Sequence, residues 1–283
     1  MALSINTNVG AMAALQNLTA TNNALNVSQS HINTGLKVGS TKDDSAAYGI
    51  AQKLRGDLGG LTAVGNSLSR AKSVLDVAVT GAEQISDIVN IMSSKAKEAA
   101  DAIDQTSRDA INRDFTAYRD QIGTIVKSSD FNGTNLLKNA GGSLTALLTI
   151  QDGDTASTTW DPDSLTVDNQ DFSYGGAVIT VAETGVIDTQ AAAQAMVDTL
   201  DATKTALATS VSTLGSASRR IDAQITFNSK LTDVITSGIG NLVDADMAKE
   251  SAQLQALQVK QQLGVQALSI ANQSPQTILS LFR

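Results

Sequence analysis

Between Leu61 and Ile103 an apolar or small residue returns every three or four positions without a gap: Leu61, Val64, Leu68, Ala71, Leu75, Ala78, Ala82, Ile85, Val89, Met92, Ala96, Ala99 and Ile103. Alternation of three and four is the rule of helices packed side by side. At about 1.5 Å per residue the run predicts a helix ~60 Å long. Shorter runs of the same kind flank it. Upstream, Leu15, Leu18, Asn22, Leu25, Gln29, Ile32 and Leu36 mark a seam, with Asn22 and Gln29 at positions where a polar group lowers stability and can fix register. Gly35 and Gly39 loosen that helix, and Asp43, Asp44 and Ser45 are suitable caps for a short helix from Ala46 to about Arg55. Gly56, Gly59 and Gly60 are expected to separate it from the long one. Downstream, Ile111, Phe115, Tyr118, Ile122 and Ile125 share a face. A turn at Asn132-Gly133 follows, then two segments that read as strands, 144–150 and 177–183. Helix resumes near Asp188 and holds Val197, Leu200, Leu207, Val211, Leu214, Ile221 and Ile225 at near-heptad spacing to about Leu231, before a break at 237–241.

The last stretch, 241–283, has a different pattern. Asp244 or Asp246 can start a helix and Pro275 is expected to limit its far end. At about 100° per residue, Ala248, Ala252, Ala256, Val259, Leu263, Ala267 and Ile270 fall on one stripe and Met247, Leu254, Leu257, Val265 and Leu268 on another, roughly opposite. Two opposed stripes need two partners. Such a helix is either buried in the middle of a bundle or completed by neighbouring subunits. On the second reading the residues that carry assembly are Leu15, Leu18, Leu25, Ile32, Leu36, Leu254, Leu257, Val259, Leu263, Leu268, Ile270, Leu279, Leu281 and Phe282.

The fold expected is mainly α: N- and C-terminal helical segments paired antiparallel in a long rod, with a small β-containing insert between them. Composition agrees. Hydrophobic residues make up 42% but aromatic ones only 3%, and there are two prolines. Thin helices packed through small contacts suit this better than a bulky core around a pocket. Cysteine is absent, which excludes disulfides, thiolate metal sites and a cysteine nucleophile. No run of about 18 apolar residues predicts a membrane span, and the first residues lack the basic and apolar blocks of an ordinary signal peptide.

The net charge of −8 is unevenly placed. Residues 141–190 hold eight acidic side chains and no Lys or Arg, and the rest of the chain balances 20 acidic against 20 basic groups. A basic stripe for nucleic acid is missing. The acidic segment reads as a solvated outer loop, since unpaired charge is costly to bury. His31, the single histidine, has no catalytic partner placed by sequence and reads as a packing or surface residue. The Asp43–Asp44 pair lacks a third ligand, and Gly56, Gly59 and Gly60 lack the preceding strand and following Lys of a phosphate loop. No catalytic, cofactor or metal constellation emerges, so the chain reads as a structural protein and not an enzyme.

Four segments then bear on family. MALSINTNVGAMAAL at the start, KDDSAAYGIAQKLRGD at 42–57, the FNG turn at 131–133 and ANQSPQTILSLFR at 271–283 together resemble bacterial flagellin, over roughly 1–140 and 190–283. The resemblance implies an inner core domain of paired terminal helices (1–40 with 241–283), a surrounding helical rod domain (41–140 with 190–240) and an outward insert (141–189). It implies self-assembly into the extracellular filament used for swimming, export through the flagellar type III apparatus without a cleaved signal, and an export chaperone and filament cap as partners. A hook–filament junction protein shares terminal helices, but the 42–57 segment and the final LSLFR favour flagellin. A cytoplasmic signalling coiled coil would be expected to bring a membrane segment. Many enterobacterial flagellins carry a patch of the form QRVRELAVQ read by an innate immune receptor. The corresponding stretch here, Ser86 to Glu98, lacks its arginines and central glutamate.

Overall fold

The computed structural model describes residues 7–152 and 162–280, and the side chains of these except at 151–152 and 274–280. Leu281 and Phe282, expected at an assembly surface, lie outside the described residues, and Leu279 is described in its backbone alone. Among the described residues there are five helices, α1 (Val9–Thr34), α2 (Ser45–Asp101), α3 (Gln105–Ser128), α4 (Gln190–Val243) and α5 (Met247–Ser280). Two strands, β1 (Leu144–Asp152) and β2 (Pro162–Val167), pair antiparallel. The fold is mainly α with a small β element, as the periodicity predicts. By contact the chain divides into two compact units, 1–56 with 234–283, and 57–233.

The larger unit has one hydrophobic core. All the positions of the long run from Val64 to Ala99 are buried in it, together with Ile111, Phe115 and Ile122 of α3 and Leu200, Leu207, Leu214 and Ile221 of α4. Its α2 and α4 segments run antiparallel: Asn228 Nδ2 donates to Leu61 O at 3.1 Å, Lys72 Nζ to Ser218 Oγ at 2.9 Å, and Lys204 Nζ to Ser93 Oγ at 2.6 Å. Ile103 alone of that run is fully exposed, because α2 has ended at Asp101. Arg108 closes this end from within the core, donating Nε to Ala99 O at 3.2 Å and Nη2 to Ala102 O at 2.6 Å. A cation is well placed there, at the negative end of a helix.

Two expectations about this unit change. Gly59 and Gly60 do not interrupt the helix, since α2 is continuous from Ser45. Helical glycine costs roughly 1 kcal/mol against alanine, and here tertiary packing outweighs it. Gly60 serves close approach instead: a Cβ there would lie 2.7 Å from Ile150 Cγ2 on β1. Residues 177–183 are not a strand. Val178, Ile179 and Val181 are buried, which accounts for the apolar reading, but their backbone finds partners outside any ladder, Val178 N on Asp171 O and Thr180 N on Thr203 Oγ1, both at 3.3 Å. The second strand is 162–167. Residues 141–189 also contribute to the core. Leu144, Ala146, Leu165, Val167, Phe172, Val178, Ile179, Val181 and Ile187 share the core of the helices, while Asp163, Asp168, Glu183 and Asp188 stay on the surface. Four of the segment's described carboxylates are therefore exposed, and Asp171 is half-buried.

The smaller unit is built from α1, α5, the first turns of α2 and the last of α4. Asp44 caps α2, its Oδ1 accepting from Ala46 N and Ala47 N at 2.9 Å, and Asp43 Oδ2 accepts from Gly39 N and Ser40 N in the loop before it. Those hydrogen bonds hold the Asp43 carboxyl below its ordinary value, the Ser40 side chain most of all. The expected break at 237–241 is absent, and α4 continues to Val243. Asp246 caps α5 through Ala248 N and Lys249 N at 3.0 and 3.1 Å. Pro275 does not end α5, which remains helical to Ser280.

Candidate assembly interface

α1 and α5 pack along each other in the smaller unit. On α5 the covered positions are Glu250, Leu254, Leu257, Gln261, Gly264, Leu268 and Ala271, an unbroken alternation of four and three. On α1 they include Ala11, Ala14, Leu18, Asn22, Leu25, Ser28 and Ile32, with Thr21, Ala24 and His31 beside them. Four contacts fix an antiparallel register. Asn8 Nδ2 donates to Ala271 O at 2.7 Å, and Leu18 approaches Gly264 so closely that a Cβ there would lie 3.2 Å from Leu18 Cδ1. Gln261 Nε2 donates to Asn22 Oδ1 at 2.8 Å, and Glu250 joins Ser28 and His31.

The Glu250 cluster is the most polar part of the seam. Ser28, almost wholly buried, donates Oγ to Glu250 Oε2 at 2.8 Å, and His31 Nδ1 lies 3.0 Å from Oε1. The His31 hydrogen bond first, and that of Ser28 second, hold the Glu250 carboxyl below its ordinary value. His31 thus has a carboxylate partner that its sequence position did not reveal. Among the described residues no group of three His, Cys, Asp or Glu could hold a metal ion, and no helix is long and apolar enough to cross a membrane.

The structure puts the sequence-predicted residues in three places. Leu18, Leu25, Ile32, Leu254, Leu257 and Leu268 lie at covered or half-covered positions of the pair. Leu36 instead packs with Val38, Val243, Tyr48 and Ile239 where α1 turns into α2. Leu15, Val259, Leu263 and Ile270 are exposed, the last at 69%. The stripe that faces α1 is therefore the one carrying Leu254, Leu257 and Leu268, and the stripe with Val259, Leu263 and Ile270 is bare. Met247 and Val265, which share the stripe of Leu254, Leu257 and Leu268 by spacing, are also exposed. The α1 seam is rotated from its predicted setting: Ala14 and Ser28 turn inward where Leu15 and Gln29 were expected. What lies opposite decides this, since Glu250 takes Ser28 and His31 as partners. Continuing the spacing of Leu254 and Leu257 in both directions would have found Glu250, Gln261 and Ala271. Nothing in the spacing could have found Asn8.

On α1 a second bare face carries Val9, Met12 and Leu15 around an open groove of about 740 Å³ that also includes Gln16, Thr19 and Asn23. Each helix of the pair thus buries one face and leaves another apolar face in water. The bends that connect the pair to the rest of the chain are tied together by backbone: Lys37 N and Val38 N donate to Val243 O at 2.8 and 3.2 Å, and Ala245 N to Gly35 O at 2.9 Å. Gly35, at φ 73°, ends α1 in the left-handed conformation that favours glycine.

Comparison with known proteins bears directly on these helices. The family description "bacterial flagellin N-terminal helical region" matches residues 5–141, and "bacterial flagellin C-terminal helical region" matches 197–282. Flagellin FljM of Caulobacter vibrioides is 44% identical over 281 residues, covering 99% of this chain and 98% of the relative. The flagellin of Brucella melitensis is 36% identical over 283 residues, covering 99% of each. A crystal structure of Bacillus cereus flagellin aligns with 20% identity and a TM-score of 0.47, over 56% of this chain and 86% of that one.

Proposed function

The chain belongs to the bacterial flagellin family, and from that premise we propose that its α1–α5 pair is the surface through which subunits join. Membership makes it a structural subunit of the bacterial flagellar filament. The observation that carries the interface reading is the unequal cover of α5: Leu257 is 8% exposed and Leu263 57%, on different faces of one helix. A lone subunit leaves Val259, Leu263 and Ile270, with Val9, Met12 and Leu15 of α1, in water, and neighbouring copies supply the missing apolar partners. Leu279, Leu281 and Phe282 extend the same reading to the chain end. The inner core domain then corresponds to 1–40 with 241–283, the rod to 41–140 with 190–240, and 141–189 to its outward side. Export through the flagellar type III apparatus, an export chaperone, a filament cap and a place outside the cell complete the proposal, all on family grounds. No catalytic role is assigned, in keeping with a structural family.

Leu263→Asp and Leu268→Asp test the interface. Each puts a charge into an apolar contact, which is strongly unfavourable unless the group is neutralised or paired. Both block polymerisation. Mixed in small amounts with wild type, Leu263→Asp keeps its α1–α5 pair, binds growing ends and poisons elongation, whereas Leu268→Asp disrupts the pair and stays out. Elongation from wild-type seeds, with sedimentation, reads both. Normal polymerisation of Leu263→Asp would show that the bare stripe faces solvent in the filament, and the interface reading would fail.

A further inference from the structure

The start of α1 and the far part of α5 meet through one side chain. Asn8 precedes α1 in extended backbone, and its Oδ1 accepts from Ala11 N at 3.0 Å as the helix cap. The same carboxamide turns its Nδ2 to the backbone oxygen of Ala271, 2.7 Å away. Ala271 stands four residues before Pro275. In an α-helix a carbonyl accepts from the N–H four residues later, and proline has no N–H. The Ala271 oxygen is therefore the acceptor that Pro275 strands. Yet α5 continues to Ser280.

We infer that Asn8 is a positioning residue whose amide replaces the hydrogen bond Pro275 removes, so that α5 continues beyond Pro275 when the start of α1 lies against it. The side chain is chemically matched to the task. Aspartate and serine also cap helices well, but an ionised aspartate has no donor to give. One planar carboxamide offers an acceptor to α1 and a donor to α5 at once, which fixes the two helices to each other at this end. Proline is then the other half of the device. With an ordinary residue at 275, α5 would close its own ladder and need nothing from α1. With proline there, the last turns of α5 depend on a residue 263 positions away. The two end segments that carry the family resemblance, around Asn8 and around Pro275, act on one carbonyl.

The test separates donor from cap. Asn8→Asp keeps the cap oxygen and removes the donor, and Pro275→Ala returns a backbone N–H to Ala271 O. Full-length variants are elongated from wild-type seeds, and amide exchange is followed over 276–280 and over the first turns of α1. Asn8→Asp exchanges roughly three- to tenfold faster at 276–280, the span expected for one lost hydrogen bond, with the start of α1 still protected. Adding Pro275→Ala to Asn8→Asp restores the slow exchange. If Asn8→Asp fails to elongate seeds, restored elongation in the double variant supports the coupling, and no restoration overturns it. Unchanged exchange in Asn8→Asp also overturns it. The inference rests on the filament reading only for the seeded state: wild-type subunits that do not elongate seeds would sink that reading, whereas a normal wild-type filament with an indifferent Asn8→Asp sinks the coupling alone.

Discussion

Truncating Leu263 to alanine should weaken assembly while leaving the subunit intact. The change removes three carbons, and burial of each from water is worth about 0.8 kcal/mol. Leu263 is 57% exposed in the single chain, so a little over half of that gain is still to be made when a neighbour covers it, about 1.4 kcal/mol. That corresponds to roughly a tenfold rise in the critical concentration for elongation. Leu257, at 8% exposed, has almost nothing left to bury. Leu257→Ala therefore acts inside the subunit, with about 2 kcal/mol or more lost from the α1–α5 seam. Sedimentation at a series of subunit concentrations gives the first quantity, and amide exchange of α1 and α5 in the subunit the second. The expected result for Leu263→Ala is a raised critical concentration with unchanged exchange. A critical concentration indistinguishable from wild type would refute the argument, because the exposed leucine would then gain no partner on assembly. Faster subunit exchange in Leu263→Ala would refute it from the other side, by showing that this stripe holds the pair together.

Other positions give separate checks. Glu250 is held below its ordinary value of 4.5 in the folded seam, so its contribution is complete above that value and is lost as pH falls through the lower folded one; Glu250→Gln should flatten the acid side of filament dissociation followed by light scattering. Arg108→Met leaves Ala99 O and Ala102 O without their donor and should destabilise the larger unit by about 1–3 kcal/mol, seen as a lower unfolding temperature in calorimetry. Phe172 is fully buried, and Phe172→Ala should cost about 3–5 kcal/mol in denaturant unfolding; a neutral outcome would refute a shared core between this segment and the helices.

The parts of the fold legible in sequence were those where one physical signal acted alone. The long α2 run is buried at every position from Leu61 to Ala99 because its spacing reports a single uninterrupted face. The signal failed where two causes overlapped. Val178, Ile179 and Val181 are apolar because they are buried, but burial there is achieved in irregular backbone satisfied by Asp171 and Thr203, which composition cannot distinguish from a strand. Gly60 looks like a breaker until Ile150 is seen against it. The two stripes of α5 were readable, and their different cover is what makes the interface testable. Which stripe faced α1 was not readable, since Leu268 and Leu263 are the same residue type and the choice depends on Glu250 and Gln261 meeting partners over 200 positions away. Pro275 is expected to end α5 and does not, because the donor to Ala271 O comes from Asn8, a residue that helix-stop signals do not reach.

That separation along the chain also governs how quickly the pair can form. Asn8 and Ala271 are 263 residues apart, Asn22 and Gln261 are 239, and His31 and Glu250 are 219. Closing a loop of such length from a free chain costs roughly 3 kcal/mol more than closing one of ten residues. The cost falls away once α2 and α4 have paired, since Asn228 already holds Leu61 and the ends of the great loop are brought near each other in advance. The larger unit is therefore the kinetic template. A substitution that slows the pairing of α2 with α4, even one remote from α1 and α5, should then delay the joining of the termini, and refolding kinetics followed at α1 and α5 would read that delay.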